Sequence, residues 1–364
     1  MMARFSEVLT IINGRNQKQV ENPSGKYPIY GSGGIMGYAD DFICDGETVI
    51  IGRKGSINKP IFVDRPFWNV DTAFGLSAKR DVLLPKYLYY FCEIFDFERL
   101  NTTVTIPSLT KANLLNIEIK LPTLEEQQQI IAVLDKLTNL ISLRKQQLAK
   151  LDELVKARFV EMFGDCLTNP KGWRTRCLEE IAEVGSSKRV FVEELQENGI
   201  PFYRGTEVGA LAEGRQITPE LFITKKHYVD LCEATGAPQI GDLLMPSICS
   251  DGRIWVVDTD KPFYFKDGRV LWVHAIDSSY DPVFLLYTLK DRITTDYNSI
   301  ASGTTFAELK IFALKKCRIF DVSIMLQNEF GAFVKQTNRS KLTMQQSLDK
   351  LEVLKKALMQ DYFM

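Results

Sequence analysis

Two stretches of the chain, 200 positions apart, repeat each other and decide the fold. Residues 142–163 read SLRKQQLAKLDELVKARFVEMF, and residues 342–363 read LTMQQSLDKLEVLKKALMQDYF. Aligned without a gap, the two stretches share eight residues, far more than chance gives. Self-similarity at a fixed offset is the signature of an internal repeat. The chain therefore contains two copies of one unit.

The repeat continues upstream, first at the same offset and then at a smaller one. Gln127 recurs as Gln327, but residues 28–30 (PIY) recur at residues 201–203 (PFY). The offset falls from 200 to 173, so the second copy carries 27 extra residues. Most of them follow Tyr203, where we expect an insertion of loops and short elements.

A long helix closes each copy. Thr123 and Glu126 form a capping box, in which each residue can accept a hydrogen bond from the other's backbone N–H. Apolar residues then recur at alternating spacings of four and three, which is the pattern of a coiled-coil seam. The predicted seam residues are Ile130, Leu134, Leu137, Ile141, Leu148, Leu151 and Val155 in the first copy, and Phe330, Val334, Met344, Leu348, Leu351 and Leu358 in the second. A tandem repeat closes into a pseudo-twofold body only if these helices pair antiparallel.

The segments before each helix are short runs of β-branched and aromatic residues separated by Gly, Asp and Pro, as in residues 47–52, 60–63, 242–245 and 254–257. Such runs predict strands, and residues 85–97 and 282–289 predict short amphipathic helices. We therefore predict an α+β fold: two α/β modules in tandem, separated by two long helices that form an antiparallel coiled coil. The predicted boundaries are 1–121 for the first module, 122–163 for its helix, 164–321 for the second module and 322–364 for its helix.

Composition excludes several classes of protein. The chain has 364 residues, of which 45% are hydrophobic, so that it can bury large cores and is not a disordered chain. A net charge of −1 disfavours a purely electrostatic, histone-like binder of nucleic acid. Seven cysteines without a CxxC pair are typical of reduced thiols in the cytoplasm, and no stretch is apolar enough to span a membrane. We expect a cytoplasmic protein.

The motifs that would carry chemistry are missing from the sequence. No Walker A motif for ATP hydrolysis occurs, and no Asp/Asn-Pro-Pro-aromatic motif of amino-methyltransferases occurs. Only two histidines, His227 and His274, are present, which leaves little room for histidine-based catalysis or a histidine-rich metal site. We therefore expect no catalytic residues, no metal and no cofactor in this chain.

What remains is a set of polar and basic loops that appear in both copies. Arginine can read guanine, asparagine can read adenine, glutamate can accept from cytosine, and Ser, Thr and Lys can hold phosphates. For a single residue the alternative is plain solvated surface, but the loops recur in comparable places. The candidate DNA-binding residues are Ser32, Arg53, Lys54, Ser56, Asn58, Lys59, Asn69, Thr103, Thr105, Ser108 and Lys111 in the first copy, and Arg204, Thr206, Glu207, Ser250, Arg253, Ser302, Thr304, Thr305 and Lys310 in the second.

Taken together, these features resemble the specificity (S) subunit of type I restriction–modification enzymes over almost the whole chain. The resemblance rests on residues 27–38 (YPIYGSGGIMGY), 172–181, 201–208 (PFYRGTEV) and, most specifically, 114–128 (LLNIEIKLPTLEEQQ). The second copy departs from the pattern at residues 320–327, which lack the proline and both glutamates. The first copy lacks the Gly-Trp that precedes the second at 172–173, so we expect it to lack a short N-terminal strand.

The resemblance implies a function. Members of the family carry two target-recognition domains, each of which reads one half of a bipartite double-stranded DNA site. Two modification subunits, which use S-adenosylmethionine, and restriction subunits, which use ATP and Mg²⁺, assemble with them. This chain would then be a noncatalytic specificity subunit that directs its partners to a sequence.

A different reading stays open on the residues alone. The chain could be a two-headed protein-interaction adaptor, with a coiled-coil spacer between two ligand-binding modules. The nearly neutral net charge favours it slightly, since a lone DNA-binding protein usually carries a basic excess.

Overall fold

The computed structural model describes residues 1–54, 56–100, 109–303 and 307–364. They divide into two units. Unit 1 comprises Met1–Leu148 and Thr343–Met364, and unit 2 comprises Ala149–Leu342. Each unit thus holds one predicted module together with part of each long helix. The four consecutive segments predicted above describe the order along the chain, whereas the units divide both helices.

Unit 1 is built on a four-stranded antiparallel sheet and a smaller three-stranded one. The larger sheet has the order β2-β8-β5-β6, and the smaller has the order β4-β3-β7, with β3 and β7 parallel. The strands are β1 Met2–Arg4, β2 Leu9–Asn13, β3 Tyr27–Gly31, β4 Gly34–Ala39, β5 Thr48–Gly52, β6 Ile61–Val63, β7 Trp68–Asn69, β8 Ala73–Ala78 and β9 Glu118–Lys120. The helices are α1 Phe5–Val8, α2 Pro85–Ile94, a 3₁₀ turn Phe97–Leu100, α3 Lys111–Leu115 and the start of α4 Leu124–Phe163.

Burial explains these elements. Strand β5 is buried along its whole length, because it lies inside the sheet and is covered on both faces. Helix α2 begins with Pro85 at its first turn, where the missing N–H costs nothing, and it buries Tyr87, Leu88 and Phe91. These side chains join those of β2, β5 and β8 in the main core of the unit.

Unit 2 repeats the two larger sheets of unit 1 with corresponding strand orders. Its sheets have the orders β11-β17-β14-β15 and β13-β12-β16, with β12 and β16 parallel, and short pairs β10-β20 and β18-β19. The strands are β10 Thr175–Cys177, β11 Glu183–Gly185, β12 Ile200–Tyr203, β13 Phe222–Ile223, β14 Leu243–Pro246, β15 Trp255–Val256, β16 Tyr264–Phe265, β17 Val270–His274, β18 Ala301–Ser302, β19 Glu308–Leu309 and β20 Arg318–Phe320. The helices are α5 Gly205–Ala212, α6 Lys225–Thr235, α7 Pro282–Thr295, α8 Tyr297–Ile300, α9 Ile311–Lys315 and α10 Ile324–Phe363, with 3₁₀ turns at Leu178–Glu180 and Val192–Glu194. The predicted tandem α+β fold is confirmed. Helices α5 and α6 occupy the insertion.

The two 40-residue helices pair antiparallel within each unit. In unit 1, the Lys145 ammonium lies 2.7 Å from the Glu352 carboxylate. In unit 2, Lys341 lies 2.5 Å from Asp152. All the predicted seam residues are buried or half-buried, and Leu134, Leu137, Val155, Phe330, Val334 and Leu348 are fully buried.

The helices begin at equivalent positions, although their caps differ. The Thr123 hydroxyl accepts from the backbone N–H of Glu126 at 3.3 Å, and the Glu126 carboxylate accepts from the backbone N–H of Thr123 at 2.8 Å. The bond from the Thr123 N–H, together with one from the Thr123 hydroxyl to the same carboxylate at 2.9 Å, lowers the pKa of Glu126. In the second helix Ser323 alone caps, accepting from the N–H of Leu326 at 3.4 Å. The departure in sequence at 320–327 therefore removes the carboxylate without moving the helix start.

One expectation is wrong. The first module has its N-terminal strand: β1 pairs antiparallel with β9, as β10 pairs with β20 in unit 2. Met2–Arg4 supplies the strand without a Gly-Trp lead-in, because the backbone alone makes the ladder. In the described ranges, none of the helices combines the length and the apolar character that a bilayer crossing requires.

Candidate nucleic-acid interface

In unit 1 the topology gathers several loops at one end of the two sheets. The antiparallel ladder brings the end of β2, the end of β5 and the start of β8 together. The backbone N–H of Arg53 donates to Thr72 at 2.8 Å, and that of Arg15 donates to Asn69 at 2.8 Å. The tip of the β3–β4 hairpin joins them, since Ser32 packs directly on Gly52. We call the loops at this end of unit 1 the first loop end.

The first loop end exposes cations that form no ion pair within the described part of the chain. Arg53, Lys54 and Lys59 are all exposed, and among the described residues none of the three forms an ion pair. The segments outside the description (55, 101–108 and 304–306) contain no acidic residue that could supply one. The guanidinium of Arg53 lies over the ring of Phe74, 5.8 Å from its centroid. Such cations are available to a polyanion.

Two other candidates of this copy form hydrogen bonds within the module instead of remaining free. The Asn58 side chain donates to Asp96 at 2.9 Å and accepts from the N–H of Phe97 at 2.8 Å, so its amide is occupied. The Lys111 ammonium donates to the carbonyl of Ile11 at 2.9 Å. The side chains of both residues therefore fix the position of backbone elsewhere in the module.

The prediction for Asn69 is wrong. We predicted it as a DNA-contacting residue, but its side chain is fully buried and donates to the carbonyl of Ala73 at 3.1 Å. Neighbouring Trp68 is 6% exposed and donates to the carbonyl of Arg15 at 3.1 Å. Both residues belong to β7, whose short length gave no periodic signal from which burial could be predicted.

Unit 2 builds the corresponding end with the same hydrogen bonds. The N–H of Ser247 donates to Arg269 at 2.9 Å, as Arg53 donates to Thr72, and the N–H of Leu309 donates to Ser247 at 2.7 Å, as Leu109 donates to Arg53 at 3.0 Å. This second loop end therefore collects the loops after β12 and β14 and before β17 and α9. Its candidate residues lie on these loops, in the first turn of α5 and at the end of β18: Arg204, Thr206, Glu207, Ser250, Arg253, Ser302 and Lys310.

The second loop end is a network of ion pairs. Arg204 precedes α5, and its Nε lies 3.1 Å from both carboxylate oxygens of Glu207. Its Nη2 also contacts Glu207 and donates to Glu220 at 2.8 Å. Burial alone would raise the pKa of Glu207, but hydrogen bonds from Arg204 and from the Thr206 hydroxyl lower it to about 2. The guanidinium and the carboxylate thus form a fixed, fully ionised pair.

The other cations of this end are paired in the same way. Arg253 lies 2.8 Å from Asp251 and 3.8 Å from Glu213. Lys310 lies 3.5 Å from Glu308, which also pairs with Arg269. The pKa of Asp251 is lowered: burial opposes the shift, and hydrogen bonds from Arg253 and Cys249 outweigh it.

Some candidates remain to be placed. Ser250, Ser302 and Thr206 are exposed, and Ser56 is half-buried. Five candidates lie outside the described residues: Thr103, Thr105, Ser108, Thr304 and Thr305.

Sequence reasoning missed Arg15 and Arg269, which the hydrogen bonds above place at the first and second loop ends. Arg269 stands where unit 1 has Thr72, so the repeat alignment could have found it if it had been carried through this segment, where the offset is 197. Among the described residues, no cluster of His, Cys, Asp or Glu is arranged to hold a metal ion.

Comparison with known proteins identifies the architecture. Residues 1–153 match the family described as the type I restriction modification DNA specificity domain. A type I restriction enzyme specificity subunit of Haemophilus influenzae is 24% identical over 326 residues, covering 86% of this chain and 81% of the relative. The MjaIX specificity subunit of Methanocaldococcus jannaschii is 25% identical over 339 residues, covering 86% of this chain and 76% of the relative.

Solved structures share the fold. The crystal structure of a type I S subunit from M. genitalium aligns with a TM-score of 0.63 at 18% identity, covering 100% of this chain and 96% of that one. A structure from a study of complex assembly and conformational transition in the type I system aligns with a TM-score of 0.58 at 18% identity, covering 100% and 97%. The chain is thus similar to type I restriction–modification specificity subunits: its residues 1–153 match their DNA specificity domain, and its fold is shared with solved S subunits.

Proposed function

We propose that this chain is the noncatalytic DNA-specificity subunit of a type I restriction–modification enzyme. Each module reads one half of a bipartite double-stranded site with the loop end described above. The observation that carries the proposal is the repetition of that loop end: the Arg53–Thr72 and Leu109–Arg53 hydrogen bonds recur at Ser247 in unit 2. One scaffold that displays two different sets of polar side chains suits the recognition of two different sequences.

The long helices serve as spacer and scaffold in this proposal. Forty residues at 1.5 Å each give a rod of about 60 Å, enough to hold readers about one duplex turn, ~34 Å, apart. Apolar side chains also remain exposed on both helices: Leu143, Leu154 and Val353 are 54%, 48% and 70% exposed. Such residues suit a contact with another protein.

The partners that we propose for these helices are two modification subunits and the restriction subunits. Curated relatives are named as specificity subunits of type I enzymes, and one structural neighbour comes from work on assembly of that system. S-adenosylmethionine, ATP and Mg²⁺ would bind the partner subunits, and this chain would select the DNA sequence. A protein-interaction adaptor is the alternative. The unpaired cations of the first loop end favour DNA over it.

Module exchange tests the proposal. Replacing residues 1–111 by the corresponding module of another specificity subunit should change one half of the methylated adenine motif and leave the other half intact, as mapped by methylation-sensitive sequencing of the host genome. Deleting the gene should abolish that motif altogether. Should both halves change after the exchange, or the motif persist without the gene, the proposal would be wrong.

A further inference from the structure

The two loop ends differ in the state of their cations. At the first loop end Arg15, Arg53, Lys54 and Lys59 are exposed, and in the described ranges they have no ion-pair partner. The electrostatic field of these residues is not cancelled locally, so it extends into solvent over about a Debye length of 8–10 Å.

At the second loop end every arginine faces a carboxylate. Besides Arg204, Arg253 and Arg269, Arg189 lies 3.1 Å from Asp267. Lysines 188, 266 and 290 are cations near this end that form no ion pair in the described part of the chain, Lys290 lying against Gly252. The chain has thus placed almost as many acids as bases here, although the backbone scaffold is the same.

These two arrangements suit different kinds of contact with DNA. A free cation that meets a phosphate releases condensed counterions, and each such contact adds about 0.9 to the slope of log K against log salt. An arginine that already faces a carboxylate gains much less from a phosphate. Its guanidinium is held in one orientation, however, which suits a directed hydrogen bond from its free N–H groups to a base edge.

Arg204 is the clearest example of an arginine that carboxylates hold in one orientation. Glu207 and Glu220 take its Nε and Nη2, and no acceptor for Nη1 is found among the described residues. The side chain keeps 37% of its surface exposed, whereas Glu207 keeps 11%. The carboxylate therefore lies beneath the guanidinium as a support, and the arginine is the member of the pair that a ligand can reach.

We propose that the two modules divide the work: the first supplies most of the salt-dependent phosphate binding, and the second discriminates bases through carboxylate-supported arginines, Arg204 first among them. This rests on the proposed function. It goes further in predicting that the two half-sites contribute differently. The first would supply most of the binding affinity, and the second would supply base discrimination that does not depend on salt.

The test compares two variants of the full chain assembled with its modification subunits. Dissociation constants are measured from 50 to 200 mM salt, on the mapped duplex, on a random duplex and on a duplex with one base pair changed in the second half-site. Arg53→Gln/Lys54→Gln/Lys59→Gln should lower the salt slope by about two to three and weaken binding to all three duplexes alike. Arg204→Gln should leave the slope within about one and cut discrimination at the changed base pair by roughly 5- to 150-fold.

Two further variants separate this from a folding defect. Lys79→Gln/Arg80→Gln/Lys86→Gln removes the same charge from residues that follow the opposite end of β8, and it should leave the slope unchanged. Glu207→Gln frees Arg204 from its main partner, so it should raise the salt slope and the affinity for the random duplex, the opposite of a loss of structure.

The inference is overturned if the triple variant keeps the original slope, or if Arg204→Gln lowers the slope as much as the triple variant does. Those results leave the proposed function standing, provided that the unaltered assembly prefers the mapped duplex over the random one. If it shows no such preference, the proposed function itself fails.

Discussion

Gln127 and Gln327 are the residues that join each long helix to its module, and the repeat reproduces them bond for bond. Each is fully buried. The Gln127 amide accepts from the N–H of Leu84 at 2.8 Å and donates to the carbonyls of Val82 and Pro122 at 2.9 and 3.0 Å. Gln327 makes the same three bonds at 2.9, 3.0 and 2.8 Å with the equivalent backbone groups of unit 2.

Gln127→Leu should therefore cost far more stability than its size suggests. Leucine has a similar volume but leaves one buried N–H and two carbonyls without their partner, and each unmet buried group costs about 1–3 kcal/mol. We expect a loss of at least about 2 kcal/mol in the free energy of unfolding, measured by urea titration. Gln128→Leu, one residue along on the exposed side of the helix, is the matched control and should change it by less than about 0.5 kcal/mol. Equal effects would mean that the bonds contribute little.

Glu207 makes the stability of the folded chain depend on pH. Its pKa in the folded chain is about 2, below the ordinary value of 4.5, so the unfolded chain takes up the proton first as the pH falls. The stabilisation is complete above about pH 4.5 and is lost between there and about pH 2. The wild type should be more stable than Glu207→Gln at pH 7, and the difference should shrink over that window. A difference that stays constant down to pH 2 would contradict the low pKa.

At the scale of elements, each long helix starts in one unit and ends in the other. Phe163 packs on Phe284 in unit 2, with ring centroids 4.7 Å apart, and its repeat partner Phe363 packs on Tyr87 in unit 1 at 4.9 Å. Of the eight residues that the two helices share, Phe163 and its counterpart Phe363 fill an equivalent core in each unit. The seam residues of the two helices keep them paired within each unit.

Leu348 is the most deeply buried leucine near the middle of the seam, with 5% of its surface exposed. Truncating such a side chain removes apolar burial and leaves a cavity, at a cost of about 2–5 kcal/mol for a core leucine. Leu348→Ala should lower the free energy of unfolding by an amount within that range. Val353→Ala, on the same helix but 70% exposed, should be nearly neutral. Thermal or urea unfolding of the two variants side by side checks the assignment of the seam.

At the scale of the whole molecule, the repeat predicted the architecture because a long seam that occurs twice leaves a strong periodic record. The helix starts at 124 and 324 and the strand at 48–52 follow from such local patterns. The role of single loop residues did not follow. Nothing in the spacing reveals that Asn69 is buried, that Asn58 binds Asp96, or that Arg204 faces Glu207 and Glu220, because these contacts depend on how distant loops meet.

The length of the paired helices should set the spacer between the two half-sites. Lys145–Glu352 and Lys341–Asp152 together place residues 142–148 opposite about residues 347–353. Deleting both heptads keeps the seam in phase and removes about 10 Å at 1.5 Å per residue, or about three base pairs of DNA. We expect methylation mapping to show both half-sites unchanged, with a spacer shorter by about three base pairs. Deleting five residues from each helix instead turns the seam by about 140° at 100° per residue, so that assembly and methylation should both be lost. A spacer that keeps its length after the heptad deletion would mean that something other than these helices fixes the distance.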